Sequence, residues 1–250
     1  MKVSICMPYH NRKHLLINTI KSIQRFNSVN ECEFIIVDEA SSEEHQLKDI
    51  FTHFPNLNIH VYRFINRTGY CPVYVHNKSF ELSKGEIIII QNPEALHVGN
   101  VVQHAINNIK KNDYLVYAQY SLTEQNTQIV LNEIDAPIQL KNKIGDDLDG
   151  WYQHSIYRNN QYNFCSAILR EDLLDLGGFD ERYAHGAAFG DDEFITRIRR
   201  KGMNIMSIDN PYTYHQYHQQ FKMYAPSNEA LYRHTTCAET EYKVKTTFTK

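Results

Sequence analysis

The groups best able to do chemistry in this chain stand where apolar runs stop. Val3 to Met7 gives way to Pro8-Tyr9-His10-Asn11-Arg12, Phe34 to Val37 gives way to Asp38-Glu39, and Ile87 to Ile90 gives way to Gln91-Asn92-Pro93-Glu94. Carboxylates in such positions accept hydrogen bonds from hydroxyls or from the imide of a base. Glu94 offers an anionic oxygen and Asn92 only a neutral carbonyl. Farther along lie the acidic run Asp191-Asp192-Glu193 and the segment Tyr212 to His218, which sets His215 and His218 among tyrosines. Acids that open a helix are stabilised by its dipole, so capping is one reading of the acidic run. For the two histidines a surface position is the plain alternative to ligation. Trp151 is the single Trp. It reads either as a stacking platform or as an ordinary core residue.

The elements that would carry these groups alternate. The runs at 3–7, 34–37, 59–64, 87–90 and 114–119 read as strands. Between them, Leu15, Leu16, Thr19, Ile20 and Ile23 recur at helical spacing, and Ser41, Ser42 and Glu44 resemble a capped helix entry. The stretches 73–83, closed by Lys84-Gly85, and 99–111 read as further helices. Strand-helix alternation predicts a largely parallel sheet, whose strand ends share one edge and bind ligands at the topological switch point. The rhythm weakens over 123–149, read as loops with a hairpin around 129–134. A strand at 164–169 and a short helix at 170–176 follow, broken by Gly177-Gly178-Phe179-Asp180. Asp191 to Lys201 is the next helix, apolar at Phe194, Ile195 and Ile198 and stopped by Gly202.

Several function classes drop out. No G-x-G-x-x-G follows the first strand and there is no P-loop, so neither a dinucleotide nor a P-loop site is expected. A net charge of −3 argues against a nucleic-acid binder. Cys6, Cys32, Cys71, Cys165 and Cys237 are odd in number and far apart, without a CxxC pair. That spacing argues against a disulfide framework or a structural zinc and fits a reducing compartment. No apolar run approaches the roughly 20 residues that span a bilayer, and the opening MKVSICMPYH lacks signal-peptide character. A cytoplasmic location without a transmembrane segment is the expectation.

Four segments in order, P-Y-H-N-R, V-D-E-A-S-S, G-E-I-I-I-I-Q-N-P-E and G-G-F-D-E-R-Y-A-H-G-A-A-F-G-D-D-E-F, resemble family 2 glycosyltransferases of the GT-A fold. The last is also similar to the acceptor-side motif of the galactosyltransferase group. The resemblance implies an α/β domain over 1–220 with a mostly parallel central sheet flanked by helices. Residues 1–120 would form the nucleotide-sugar half and 121–220 the acceptor half, with 221–250 a C-terminal tail. It implies an inverting transfer from a nucleoside-diphosphate sugar, UDP-sugar first, to a hydroxyl of a glycan or other acceptor, assisted by Mn2+ or Mg2+. Oligomeric state is not readable.

The resemblance also implies roles. Pro8, Tyr9 and Arg12 match the loop that wraps the nucleotide, Asp38 the acid that binds base or ribose, and Glu39 its frequent partner. For Asp38, capping a helix start at Ser41-Ser42 is the alternative. Asn77 matches an Asn near the donor. Asn92-Pro93-Glu94 stands where the family has Asp-x-Asp, so Glu94, with Asn92, is the expected metal contact. His215, or alternatively His218, would complete it; an imidazole suits Mn2+ better than Mg2+. Asp192 matches the general base and Asp191 the preceding acid that holds an acceptor hydroxyl. Trp151, Gly178 and Phe179 fall on the acceptor side. A binding module that kept the fold without catalysis is the competing expectation, because Asn92 replaces an acid. A nucleotidyltransferase would need a Gly-rich N-terminal loop that P-Y-H-N-R lacks.

Overall fold

Alternate residues of the first strands feed two different cores. In β2, Phe34 and Ile36 enter one apolar cluster and Ile35 and Val37 another, as the period of two requires when both faces are covered. The structure, a computed structural model, describes residues 2–69, 71–133, 138–145, 148–219 and 226–247. Along the chain run β1 (Val3–Tyr9), α1 (Lys13–Phe26), β2 (Cys32–Glu39), α2 (Ile50–His53), β3 (Ile59–Phe64), α3 (Val73–Leu82), β4 (Ile87–Gln91), β5 (Ala95–Val98) and α4 (Val101–Asn108). Then come β6 (Asp113–Ser121), α5 (Glu124–Asn132), β7 (Gly150–Gln153), β8 (Cys165–Leu169), α6 (Arg170–Leu176), α7 (Gly190–Arg200), β9 (Asn204–His215) and α8 (Pro226–Ala238).

The sheet order is β3-β2-β1-β4-β8-β6-β9-β5, with β7 paired to β6. Its first four strands are parallel. β8 then inserts antiparallel between β4 and β6, while β6 and β9 are parallel and β5 returns antiparallel to β9. The parallel character read from the sequence therefore holds for β1 to β4, and the sheet is mixed beyond them. β1 lies between β2 and β4, so the chain reverses its lateral direction there. That point is the crevice at which α/β sheets bind ligands.

The helices follow their apolar stripes. α1 buries Leu16, Ile20 and Ile23 against Ile5, Phe34 and Ile89. On the opposite face, Val75 and Phe80 of α3 and Phe194 and Ile198 of α7 pack with Ile35, Val37 and Ile88. A third cluster joins Leu96, Ala118, Tyr120, Val130, Trp151 and Tyr214. The hairpin expected around 129–134 is instead α5: the Thr123 hydroxyl caps it by accepting from the Asn126 amide at 3.1 Å. Residue 134 lies outside the described residues. β5, β7, β9 and α8 have no counterpart in the sequence reading.

The described part of the tail is bound to α6 and to the segment between α6 and α7. The Asn228 side-chain amide donates to the carbonyls of Tyr183 and Ala188, each at 2.9 Å, and the Val244 amide donates to the Leu176 carbonyl at 3.1 Å. Among the described residues no helix is long and apolar enough to cross a membrane.

Candidate active site

A cleft of about 750 Å3 opens at the carboxyl ends of β1, β2 and β4, within the usual size range of small-molecule sites. Pro8, Tyr9 and Arg12 line it from the end of β1, Glu39 from β2, and Asn92 and Glu94 from the turn after β4. The start of α7 lines it as well, with Ala188, Gly190 and Asp191. His218, beyond β9, closes one end.

Glu94 is the most constrained group. It is 3% exposed, and Arg12 Nη1 lies 2.8 Å from its Oε2. His215 Nε2 and His218 Nε2 lie 3.5 and 3.9 Å from its Oε1. Burial alone would raise its pKa, but Arg12, His215 and His218 outweigh that and hold the carboxyl well below the usual range. Burial, helped by Arg12, lowers the pKa of His218. One ligand atom from each of Glu94, His215 and His218 lies within 4.8 Å of the others. His218 Nε2 is buried without a hydrogen-bond partner. An ionised carboxylate beside two imidazole nitrogens is a donor set that fits Mn2+. His215 and His218, read from the sequence as alternatives, are brought to Glu94 together. β9 delivers His215, pairing with β5 at Ala95, the residue after Glu94.

The α7 side of the cleft is shaped by its backbone. Ala188 and Phe189 both have left-handed φ, 60° and 64°, a conformation that costs energy for residues with side chains. Gly190 follows; a Cβ there would come within 2.9 Å of Cys71 Sγ, so only Gly lets α7 begin this close. Asp191 therefore enters the cleft wall. Burial, with a smaller contribution from the Asp192 charge, pushes its pKa up to about 6. Asp192 is not among the lining residues, and its Oδ1 accepts the Tyr162 hydroxyl at 2.6 Å.

Other anticipated residues stand behind the surface. Asp38 is 1% exposed, accepting from the Ser41 amide at 2.9 Å and from Arg63 at 2.8 Å. Asp38 thus fixes the Ser41 backbone ahead of a single 3-10 turn, Glu43–His45, in place of the expected helix, and Glu39 lines the cleft. Glu39 in turn holds the next loop by accepting from the Thr68 amide at 3.0 Å. Asn77 clips α3 to the loop after α6, donating to the Phe179 carbonyl at 2.9 Å and accepting from the Phe179 amide at 2.8 Å. Phe179 stacks between His76 and Phe194, with ring centroids at 4.6 and 4.4 Å. The Gly178 carbonyl accepts from Arg197 at 2.7 Å. These three set the wall's position from inside. Trp151, 5% exposed, packs against Tyr120, His154 and Tyr212 in the third cluster, so the core alternative describes it and the platform does not.

Sequence reasoning missed Asn163, His45 and Arg67, which also line the cleft. Asn163 and Arg67 come from segments without periodicity, and His45 ends a single 3-10 turn, Glu43–His45. Only the local neighbourhood of Tyr9, whose hydroxyl donates to the His45 carbonyl at 2.5 Å, ties one of them to a recognised segment.

A parallel half-sheet feeding a cleft between an acid-histidine cluster and an acidic helix start defines a GT-A-type glycosyltransferase domain. The chain belongs to the glycosyltransferase-like family 2, whose profile matches residues 2–237. It is similar to the chondroitin synthase of Escherichia coli, 23% identical over 239 residues that cover 86% of this chain and 34% of that protein. The chain thus spans about a third of that relative's length. Among solved structures, S. aureus TarS superposes with a TM-score of 0.62 at 15% identity, covering 87% of this chain and 37% of TarS. TarS 1-349 in complex with UDP gives 0.62 at 16%, covering 87% and 61%. The mannosyltransferase PcManGT from Pyrobaculum calidifontis, in complex with GDP-Man and Mn2+, gives 0.55 at 18%, covering 85% and 56%. At these identities the superpositions speak for the fold.

Proposed function

We propose that this chain transfers a glycosyl group from a nucleoside-diphosphate sugar, UDP-sugar first, to a hydroxyl of a glycan or other acceptor, with inversion at the anomeric carbon. The observation that carries this reading is that Glu94, from the turn after β4, and Asp191, from the start of α7, line the same cleft. Pro8, Tyr9 and Glu39 flank the nucleoside, and Arg12 meets the pyrophosphate. Glu94, His215 and His218 would hold the divalent cation, with Asn92 beside them. That cation, Mn2+ in preference to Mg2+ for this donor set, supplies charge neutralisation for the departing nucleoside diphosphate.

Asp191 takes the proton from the acceptor hydroxyl as that oxygen attacks the anomeric carbon. A pKa raised to about 6 leaves it ionised at neutral pH yet more basic than an ordinary Asp. This assignment replaces Asp192, which the motif suggested. Asp192 is engaged by Tyr162 and acts as the like charge beside the base. Relatives point the same way in their ligands: UDP is bound by TarS, and GDP-Man with Mn2+ by PcManGT.

The test is nucleotide release from a panel of UDP- and GDP-sugars with Mn2+, in wild type, Asp191→Asn and Asp192→Asn. Asp191→Asn should lose turnover and keep nucleotide binding. Turnover lost in Asp192→Asn but kept in Asp191→Asn returns the base to Asp192. Nucleotide binding without release from any donor, over a full acceptor screen, favours the non-catalytic module, to which Asn92 in place of an acid gives its one support.

A further inference from the structure

The strip 161–164 joins the two walls of the cleft. At one end the Tyr162 hydroxyl donates to Asp192 Oδ1 at 2.6 Å, and Gln161 Oε1 accepts from Arg199 of α7 at 2.6 Å. The Gln161 amide also donates to Gln153 Oε1 of β7 at 2.7 Å. At the other end the Phe164 carbonyl accepts from the Asn92 amide at 3.0 Å. Asn163 sits between these anchors, one residue from the contact to the acidic helix and one from the contact to the Glu94 turn.

Asn163 lines the cleft, is 5% exposed, and its side-chain oxygen Oδ1 is buried with no hydrogen-bond partner. Buried acceptors are ordinarily satisfied, and leaving one unmade is costly. The strip is sewn at both ends, and the Tyr162 and Phe164 rings flanking it meet edge to face at 5.8 Å. The carboxamide therefore has little freedom to seek a partner within the protein. A hydroxyl bound in the cleft can supply it.

Resting on the glycosyltransferase reading, we infer that Asn163 is a specificity-determining residue for the transferred sugar, its side-chain oxygen accepting a hydrogen bond from a hydroxyl of the donor's glycosyl ring. The location follows from the chemistry: the ring must lie between the pyrophosphate, held on the Arg12 and Glu94 side, and the base on α7. Asn163 belongs to the strip that spans that gap. A carboxamide oxygen is an acceptor with two lone pairs, suited to hydroxyls. A site built to pair with a hydroxyl discriminates against sugars that lack it or turn it away.

The experiment is calorimetric titration of the full chain with Mn2+, wild type against Asn163→Ala. The probes are UDP and GDP alone, then UDP-glucose, UDP-galactose, UDP-N-acetylglucosamine, UDP-glucuronate and GDP-mannose. The expected result is a roughly tenfold weaker Kd for the preferred nucleotide sugar, the loss of one hydrogen bond, with the free nucleoside diphosphate unchanged. The preference among sugars should narrow in step. Equal loss for nucleotide and nucleotide sugar makes Asn163 structural and overturns the inference, and so does no loss for either. Wild type binding none of the probes is a different failure, because it removes the donor-site reading itself and this inference with it.

Discussion

Arg12 and Glu94 form an ion pair in which one partner is buried and the other is not. Arg12 Nη1 lies 2.8 Å from Glu94 Oε2; the arginine side chain is 37% exposed and the carboxylate 4%. The buried partner cannot leave, whereas the exposed one can swing towards solvent or towards a phosphate. A cation reaching Glu94 therefore meets Arg12 already there. Arg12→Gln should tighten Mn2+ binding to the nucleotide-free protein by roughly three- to tenfold, since like charges no longer compete. It should weaken UDP binding. Titration with Mn2+, with and without UDP, checks this, and an unchanged Mn2+ affinity means that Arg12 does not compete.

The ligand cluster makes a separate prediction. His218→Ala removes one nitrogen from the set and should cost roughly tenfold or more in Mn2+ affinity, in the way that loss of a ligand or its support does. Glu94→Gln removes its only anion and should abolish the coupling between Mn2+ and nucleotide altogether. Both variants should keep their melting temperatures within a few degrees. If nucleotide binding proves indifferent to chelators in the wild type, the cation has no part in it.

The acidic pair predicts a pH profile. As the proposed base, Asp191 must be ionised to take a proton, and with its pKa pushed up to about 6, turnover should rise as pH passes through about 6. Below that point the carboxyl is protonated and the rate falls. Part of the shift comes from the Asp192 charge, so Asp192→Asn should lower the pKa of Asp191 and move the acid limb to lower pH. A limb that stays in place or moves up contradicts the coupling.

The acidic helix is held by one buried charge. Arg197 is 1% exposed; it pairs with both Glu193 oxygens and donates to the carbonyls of Leu176 at 2.8 Å and Gly178 at 2.7 Å. Arg197→Ala would strand Glu193 and the carbonyls, costing about 3–5 kcal/mol in chemical denaturation. Replacing both partners, Glu193→Leu with Arg197→Met, should recover most of that loss, because no charge is then left buried alone. Equal destabilisation in the single and double variants would show that packing, not charge, anchors α7.

Much of this protein is legible in its sequence because it rests on short-range physics. Buried β-branched runs become strands whatever lies elsewhere, their polar ends mark one sheet edge, and the stripe of Phe194, Ile195 and Ile198 makes α7 regardless of its partner. The order of the motifs marks the family, and Glu94 with a histidine marks the acid-histidine cluster. What only the tertiary structure decided is which member of a near pair faces the cleft. Asp191 and Asp192 are one residue apart, which on a helix is a turn of about 100°, and the packing of α7 sends the first into the cleft and the second to Tyr162. Asp38 and Glu39 divide likewise, because Arg63, 25 residues away, captures the first. Trp151 was buried by Leu96 of β5, Tyr120 of β6 and Tyr214 of β9, which only the sheet order brings together, and Asn163 was placed by hydrogen bonds of its neighbours to residues 30 and more positions distant. Local preference names the element, but the direction a side chain faces is set by contacts far apart along the chain, and those appear only once it has folded.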